Sequence, residues 1–258
     1  MEVHHHPQLE HKPKPWKEYL LEGMMIFLAV FMGFIAENIR ESISDHKRTS
    51  ELAVSLYRDL KKDTIAAKKY IVKFNNIALN VDTLMRILAK KEIKDISTGE
   101  LYWYAISASY YNAYIANTPT LNEIKSSGLL RYFSQPDVEA VLTKYNQQLQ
   151  ILSDLQEEQR GLYIEVRKAK AQLFYFQYND EANALFASND IKHKQARIDS
   201  FKNSHLPLLS SDKLALNNFV ELTRSRFMKS NVILVDSIMN TEIKLMKALK
   251  TGYDINDE

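Results

Sequence analysis

Apolar residues along this chain follow two patterns. From Tyr19 to Ile39 (YLLEGMMIFLAVFMGFIAENI) they cover the whole circumference of a helix, and from Leu52 onward they recur as stripes at three- and four-residue steps. All-round apolarity suits lipid, whereas a helix lying on a membrane keeps one strongly polar face. The uncharged run from Gly23 to Ala36 makes roughly 21 Å of helix against a hydrocarbon core of roughly 30 Å, so a span must extend to Tyr19 and Ile39. Glu22 and Glu37 then approach the two interfaces, and Trp16 and Tyr19 suit the headgroup zone. Phe34, Ile35 and Ala36 lead straight into charged helix without a small-x-small cleavage site, so the expectation is an uncleaved anchor.

Within the span, Glu22, Ile26, Ala29, Gly33, Glu37 and Arg40 share one helical face. Ala29 and Gly33 form a small-xxx-small pair that admits a second helix, and Glu22 on that face is better placed against protein than against lipid. These three residues are the candidate oligomer interface.

The stripes beyond the span predict helices throughout. Residues 40–51 are poor in apolar side chains and read as a solvated helical stalk. Leu52, Leu56, Leu60, Ala67, Ile71, Phe74, Ala78, Val81, Met85 and Leu88 then mark a buried face. A second helix is predicted from Gly99 to Asn117, broken by Thr118-Pro119, and a short one ends at Gly128 as a left-handed cap. Ser134 and Pro136 start a long helix that runs to Tyr178 on Val138, Leu142, Tyr145, Leu149, Leu152, Leu155, Leu162, Val166, Ala169, Leu173 and Phe176. In that pattern Leu149 and Leu152 face the core and Gln148 faces away. A shorter helix follows over 180–203, and a last one runs from Asp212 to Lys250. The fold class expected is all-α, a transmembrane helix followed by an elongated antiparallel helical bundle. The segments are a tail (1–18), the span (19–39), the stalk (40–51), the bundle (52–250) and a C-terminal tail (251–258).

Composition narrows the function classes. The 258 residues carry a formal net charge of +2 with both signs interspersed, which offers no basic face for nucleic acid. The absence of cysteine removes disulfides, thiol nucleophiles and thiolate metal sites, and suits an extracytoplasmic domain. Lys12, Lys14 and Lys17 before the span favour a cytoplasmic N-terminus with the bundle in the periplasm, against Arg40, Lys47 and Arg48 after it.

Candidate chemistry is sparse. His4, His5, His6 and His11, with Glu2 and Glu10, are metal-ligand types, but adjacent histidines in a proline-broken tail cannot make a fixed tetrahedral site alone. Ser210-Ser211-Asp212-Lys213 and Lys250-Thr251-Gly252 match two motifs of penicillin-binding enzymes, without the intervening element or the strand that chemistry needs. The one Glu-x-x-His, Glu2 to His5, lies in the tail rather than on a bundle helix, as a di-iron site requires. No enzyme, cofactor or metal site is expected. The candidate recognition surface is the aromatic cluster of Tyr102, Trp103, Tyr110, Tyr111 and Tyr114, because so many rings on one helix cannot all face a single core.

Two segments carry a family resemblance. HHHPQLEHKPKPWKEYLLEGMMIFLAVFMGFIAENIRESISDHKRTSELAVSLYRDLKKDT and PTLNEIKSSGLLRYFSQPDVEAVLTKYN, together about a third of the chain, resemble a group of uncharacterised bacterial single-span membrane proteins. The resemblance implies an anchored helical domain and assigns no catalytic or binding residue. The expected function is a membrane-anchored, non-enzymatic interaction or assembly subunit in the bacterial inner membrane. Its partners would be lipid and either a second copy or another membrane protein. The alternative is a ligand- or metal-sensing receptor domain acting through a partner.

Overall fold

The computed structural model describes residues 15–90, 95–133, 135–188, 193–228 and 231–255, which are helical with extended connections and contain no strand. The all-α class is as expected. The chain forms two compact units, Met1–Leu52 and Ala53–Glu258. The His-containing tail lies outside the described residues.

The first unit consists, where described, of the opening part of helix α1 (Trp16–Lys90). Every residue from 15 to 41 is exposed, including Met24, Phe27, Leu28, Phe31 and Phe34. This helix is long and apolar enough to cross a membrane, and its most apolar window has no residue buried against protein. On the polar side of that window, Arg40 Nε donates to Glu37 at 2.9 Å.

In the second unit α1 carries Leu56, Leu60, Asp63, Ala67, Tyr70, Phe74, Ile77, Val81, Leu84 and Leu88 inward, an unbroken alternation of four- and three-residue steps. That spacing is a coiled-coil seam. It widens the expected stripe: Asp63, Tyr70, Ile77 and Leu84 also lie within it, and Ile71, Ala78 and Met85 are half-buried, as Phe74 and Leu88 are.

The remaining helices are α2 (Thr98–Ala108), α3 (Pro119–Ser126), α4 (Pro136–Ala171), α5 (Phe176–Ala187), α6 (Lys194–Lys202), α7 (Lys213–Met228) and α8 (Val232–Gly252). Gly128 takes φ 70° after α3 and leads into a 3₁₀ turn at Leu129–Tyr132, the left-handed position its sequence context predicts. Helix α4 packs on both α7 and α8. Gln135 reaches Gly252, Gln148 reaches Ser237 and Gln159 reaches the Arg226 carbonyl, so the pair runs antiparallel to α4. Tyr70 meets Asn231 and Phe74 meets Phe227, so the same pair is antiparallel to α1.

Four expected helices are shorter than their periodicity implied, the one over 180–203 being two, α5 and α6, with Ser188 already out of helix. The second ends at Ala108, and residues 110–118 take no regular structure, with side chains of other helices bonding the Tyr110, Tyr114 and Asn117 peptide groups. The long helix ends at Ala171. Beyond it Leu173 and Phe174 are both buried. The break is held by Tyr175 N–H donating to the Tyr102 hydroxyl at 3.0 Å and Leu209 N–H donating to the Leu173 carbonyl at 3.0 Å. The last helix is two, α7 and α8, with Asn231 entering α8.

Helices α2, α5 and α6 close one part of the core around Tyr102, whose ring meets Phe174 edge-on at 4.9 Å and whose hydroxyl donates to Pro207 O at 2.8 Å. Gly99 is required there, since a Cβ would fall 2.0 Å from the Phe201 carbonyl oxygen.

Gln148 also departs from its expected face. It is 8 % exposed and donates to Ser237 Oγ at 2.9 Å, while Leu149 is half-buried and Leu152 is buried. In urea denaturation of the detergent-solubilised chain, Leu152→Ala should therefore cost about 2–5 kcal/mol. Gln148→Ala should cost about 1 kcal/mol, and Leu149→Ala should fall below Leu152→Ala. A silent Gln148→Ala would show that the α4–α8 contact is not formed in solution.

Candidate functional site

The segment from Ser109 to Thr118 has left the helix yet stays within the domain, so its peptide groups need partners. At its start, Arg226 of α7 donates to the Ala108 carbonyl at 2.7 Å and to the Tyr110 carbonyl. In its middle, Gln156 of α4 donates to the Tyr114 carbonyl at 2.6 Å. At its end, both oxygens of Asp63 on α1 accept from the Asn117 N–H, at 3.0 and 2.9 Å. Asp59 accepts from the Asn117 amide at 2.7 Å and from Thr120 Oγ1 at 2.6 Å.

Asp63 belongs to a buried acidic cluster. Glu242 of α8 is fully buried, with one oxygen accepting from the Tyr114 hydroxyl at 3.1 Å and the other without a hydrogen-bond partner. The Tyr145 hydroxyl stands 3.5 Å from Asp63 Oδ2. Burial is the main force raising Asp63 to about 6, with Asp59 adding repulsion and the Asn117 bonds opposing it. Burial, then the charge of Asp63, raises Glu242 to about 7. Burial and both acids push the Tyr114 and Tyr145 phenols far above their ordinary range.

Two buried cations lie at the other end of the segment. Arg226 is 6 % exposed, and its Nε has no hydrogen-bond partner. Its guanidinium lies over the rings of Tyr163 (5.7 Å) and Phe227 (5.1 Å). Lys170 of α4 is 7 % exposed and donates to Ser109 Oγ at 3.0 Å. Burial, helped by the charge of Arg167, pulls Lys170 down to about 8. Lys170 forms part of the wall of a cleft of about 470 Å³ bounded by the end of α2, the last turns of α4, and α5.

The aromatic cluster is divided by the fold. Tyr102, Trp103 and Tyr114 are buried core residues rather than an exposed face, whereas Tyr110 and Tyr111 are half-buried. Tyr110 lines the cleft, and Tyr111 packs on Tyr163 at 5.1 Å. Glu22, Ala29 and Gly33 are exposed, and a Cβ at Gly33 would meet nothing within 4 Å. The Ser210–Lys213 motif is helix-start chemistry. Ser210 Oγ accepts from Asp212 N–H at 3.1 Å, and Asp212 Oδ2 accepts from Ala215 N–H at 2.8 Å to cap α7. Among the described residues no group of three or more His, Cys, Asp or Glu side chains could hold a metal ion.

Asp63, Lys170, Arg226 and Glu242 escaped the sequence reading, although a signal existed. Each stands at or beside a core step of an apolar helix, Asp63 between Leu60 and Ala67 and Glu242 between Ile238 and Leu245. No family model, no curated protein and no solved structure matches this chain.

The acidic cluster sets an unusual pH dependence. Both carboxyls titrate higher in the folded chain than unfolded, so between about pH 4 and 7 the native state holds the extra protons. Their stabilising contribution is complete below the unfolded values and is lost as pH rises through the folded ones. The melting temperature at pH 5 should exceed that at pH 8 by several degrees. Glu242→Gln should flatten most of that slope and raise stability at pH 8. A wild-type protein that melts higher at pH 8 would contradict this assignment.

Proposed function

We propose that this chain is a membrane-anchored, non-catalytic interaction subunit. Residues 19–39 cross a bacterial inner membrane, and the helical domain from Ala53 onward works in the periplasm by contacting other proteins. The observation behind this reading is a helix segment whose large apolar side chains from Leu20 to Ile35 all lie open. Each would gain about 1.5–3 kcal/mol on leaving water, and lipid is the solvent that receives all sides of a helix at once. Lysines before the span support a cytoplasmic N-terminus. Lack of cysteine fits an oxidising compartment, and the resemblance to single-span membrane proteins agrees with the anchor.

Ala29 and Gly33 add the partner. They form an open, flat strip on the face of Glu22, so a second copy of the span can approach closely and shield the carboxyl from lipid.

The expected results are as follows. The full chain sediments with membranes and resists carbonate extraction, and a periplasm-dependent reporter fused after Glu258 is active. Gly33→Ile and Ala29→Ile weaken an oligomer in mild detergent, whereas Met32→Ile, off that face, leaves it intact. Activity of a cytoplasm-dependent reporter at the same position would invert the orientation. A monomer in both detergent and nanodiscs would remove the role of the small residues.

A further inference from the structure

The cleft of about 470 Å³ beside the Ser109–Tyr110 turn has a size ordinary for small-molecule sites and an electrostatic character the surrounding protein leaves unbalanced. Lys170 on its α4 wall is buried, and Ser109 Oγ, a neutral hydroxyl, is its hydrogen-bond partner. No described carboxylate pairs with it. Asp180, on the α5 wall, is the carboxylate that lines the same cleft, against the two cations Lys170 and Arg167. One turn back on α4, Arg167 lies over the Tyr163 ring at 5.6 Å, and the buried Arg226 lies over the same ring at 5.7 Å. Arg226 is engaged by the Ala108 and Tyr110 carbonyls, neighbours of Ser109, rather than by an acid.

Two cations, Lys170 and Arg167, thus stand on one short stretch of the cleft wall, with the buried Arg226 behind the Tyr163 ring that lines it. Buried charge is ordinarily paired, because desolvation costs several kcal/mol per ion. The carboxyl-terminal end of α4 offsets part of this through its helix dipole, by about 0.3–1 kcal/mol. The rest of the demand is for an anion. The rings of Tyr110, Tyr163 and Phe176 line the same cleft, and Phe176 is 80 % exposed, so the site also offers apolar surface that a bare inorganic ion would leave wet.

We propose that this cleft binds a small organic carboxylate, its anionic group held by Lys170 and Arg167 and its apolar body lying against Tyr110, Tyr163 and Phe176. This goes beyond the anchoring role and does not depend on it. An ammonium donating to a carboxylate makes a charge-assisted hydrogen bond, stronger than the one Lys170 makes to Ser109. Filling the site removes water from that bond, and the bound anion favours the protonated lysine.

Calorimetric titration of the full chain in detergent micelles tests the proposal, with benzoate as the probe, benzamide as its uncharged counterpart and inorganic phosphate as the anion without a body. Benzoate should bind saturably and benzamide at least about tenfold more weakly. Lys170→Met should lower benzoate affinity by about tenfold or more, and Lys170→Arg, which keeps the charge, should restore most of it. Benzoate affinity should fall as pH rises past about 8, where Lys170 loses its proton, and Lys170→Met should lack that fall. Circular dichroism checks the fold of each variant. Arg167→Gln, at an exposed position, gives an independent loss if Lys170→Met proves unstable. Failure of benzoate to saturate the folded wild type, equal affinity for benzamide, or unchanged affinity in both variants would overturn the proposal. Saturation by phosphate with no response to benzoate would overturn the organic body.

Discussion

The helical domain depends on one constraint: a half-buried stretch of backbone that lies outside any helix must have its peptide groups satisfied. Residues 110–118 are that stretch. Their partners come from Asp63 on α1, Gln156 on α4 and Arg226 on α7, so a single extended segment ties three helices together at fixed heights. Loss of such a partner leaves a buried carbonyl or N–H unmet, at about 1–3 kcal/mol each. Apolar stripes alone would let these helices slide by a turn at modest cost. The polar bonds specify one register.

The charges that serve the segment are segregated along it. Arg226 meets the Ala108 and Tyr110 carbonyls where the segment leaves α2, and Asp63 meets the Asn117 N–H near its other end. Arg226 and Asp63 therefore each compensate backbone dipoles rather than one another. The two ends answer pH differently. Asp63 and Glu242 change protonation close to neutrality, whereas Arg226, although lowered by burial to about 10, stays charged there. Acidification through neutrality relieves the acidic end and leaves Arg226 as it was, while Lys170, lowered to about 8, gains its proton.

The helices were legible in the sequence wherever an apolar stripe ran unbroken, as along α4 from Val138 to Tyr145. They were not legible where a tertiary partner outbid the local pattern. YYNAYIANT carries helix-compatible spacing, yet its tyrosine, asparagine and β-branched residues are weak helix formers, and side chains from distant positions hold its peptide groups. The break after Ala171 rests on the Tyr102 hydroxyl, 73 positions upstream of the Tyr175 N–H it accepts from, which no window of local periodicity contains. Gln148 misled for a related reason, since a polar side chain beside a leucine stripe looks solvated until Ser237 is placed opposite it. The rings of Tyr102, Trp103 and Tyr114 read as an excess over what one core face can hold. In the fold they divide between two surroundings, Phe174 and Tyr178 around Tyr102, Tyr70 and Glu242 around Tyr114.

Among the buried charged residues, Asp63, Arg226, Glu242 and Lys170, the first two hold backbone groups of the extended segment. Glu242 joins them through Tyr114, a residue of that segment. Lys170 holds no backbone group directly: it donates to Ser109 Oγ, whose own hydrogen is directed at the Ala105 and Ile106 carbonyls, so a neutral hydroxyl is its hydrogen-bond partner. Its neighbours on the α4 stripe are Val166, Ala169 and Leu173, where an unbranched apolar side chain would avoid the desolvation cost altogether. Packing therefore gives a reason for the other three charges and none for this one. What distinguishes Lys170 is that it borders the cleft, and a buried ammonium with hydrogen-bonding capacity left over is worth its cost in stability where something outside the protein completes it.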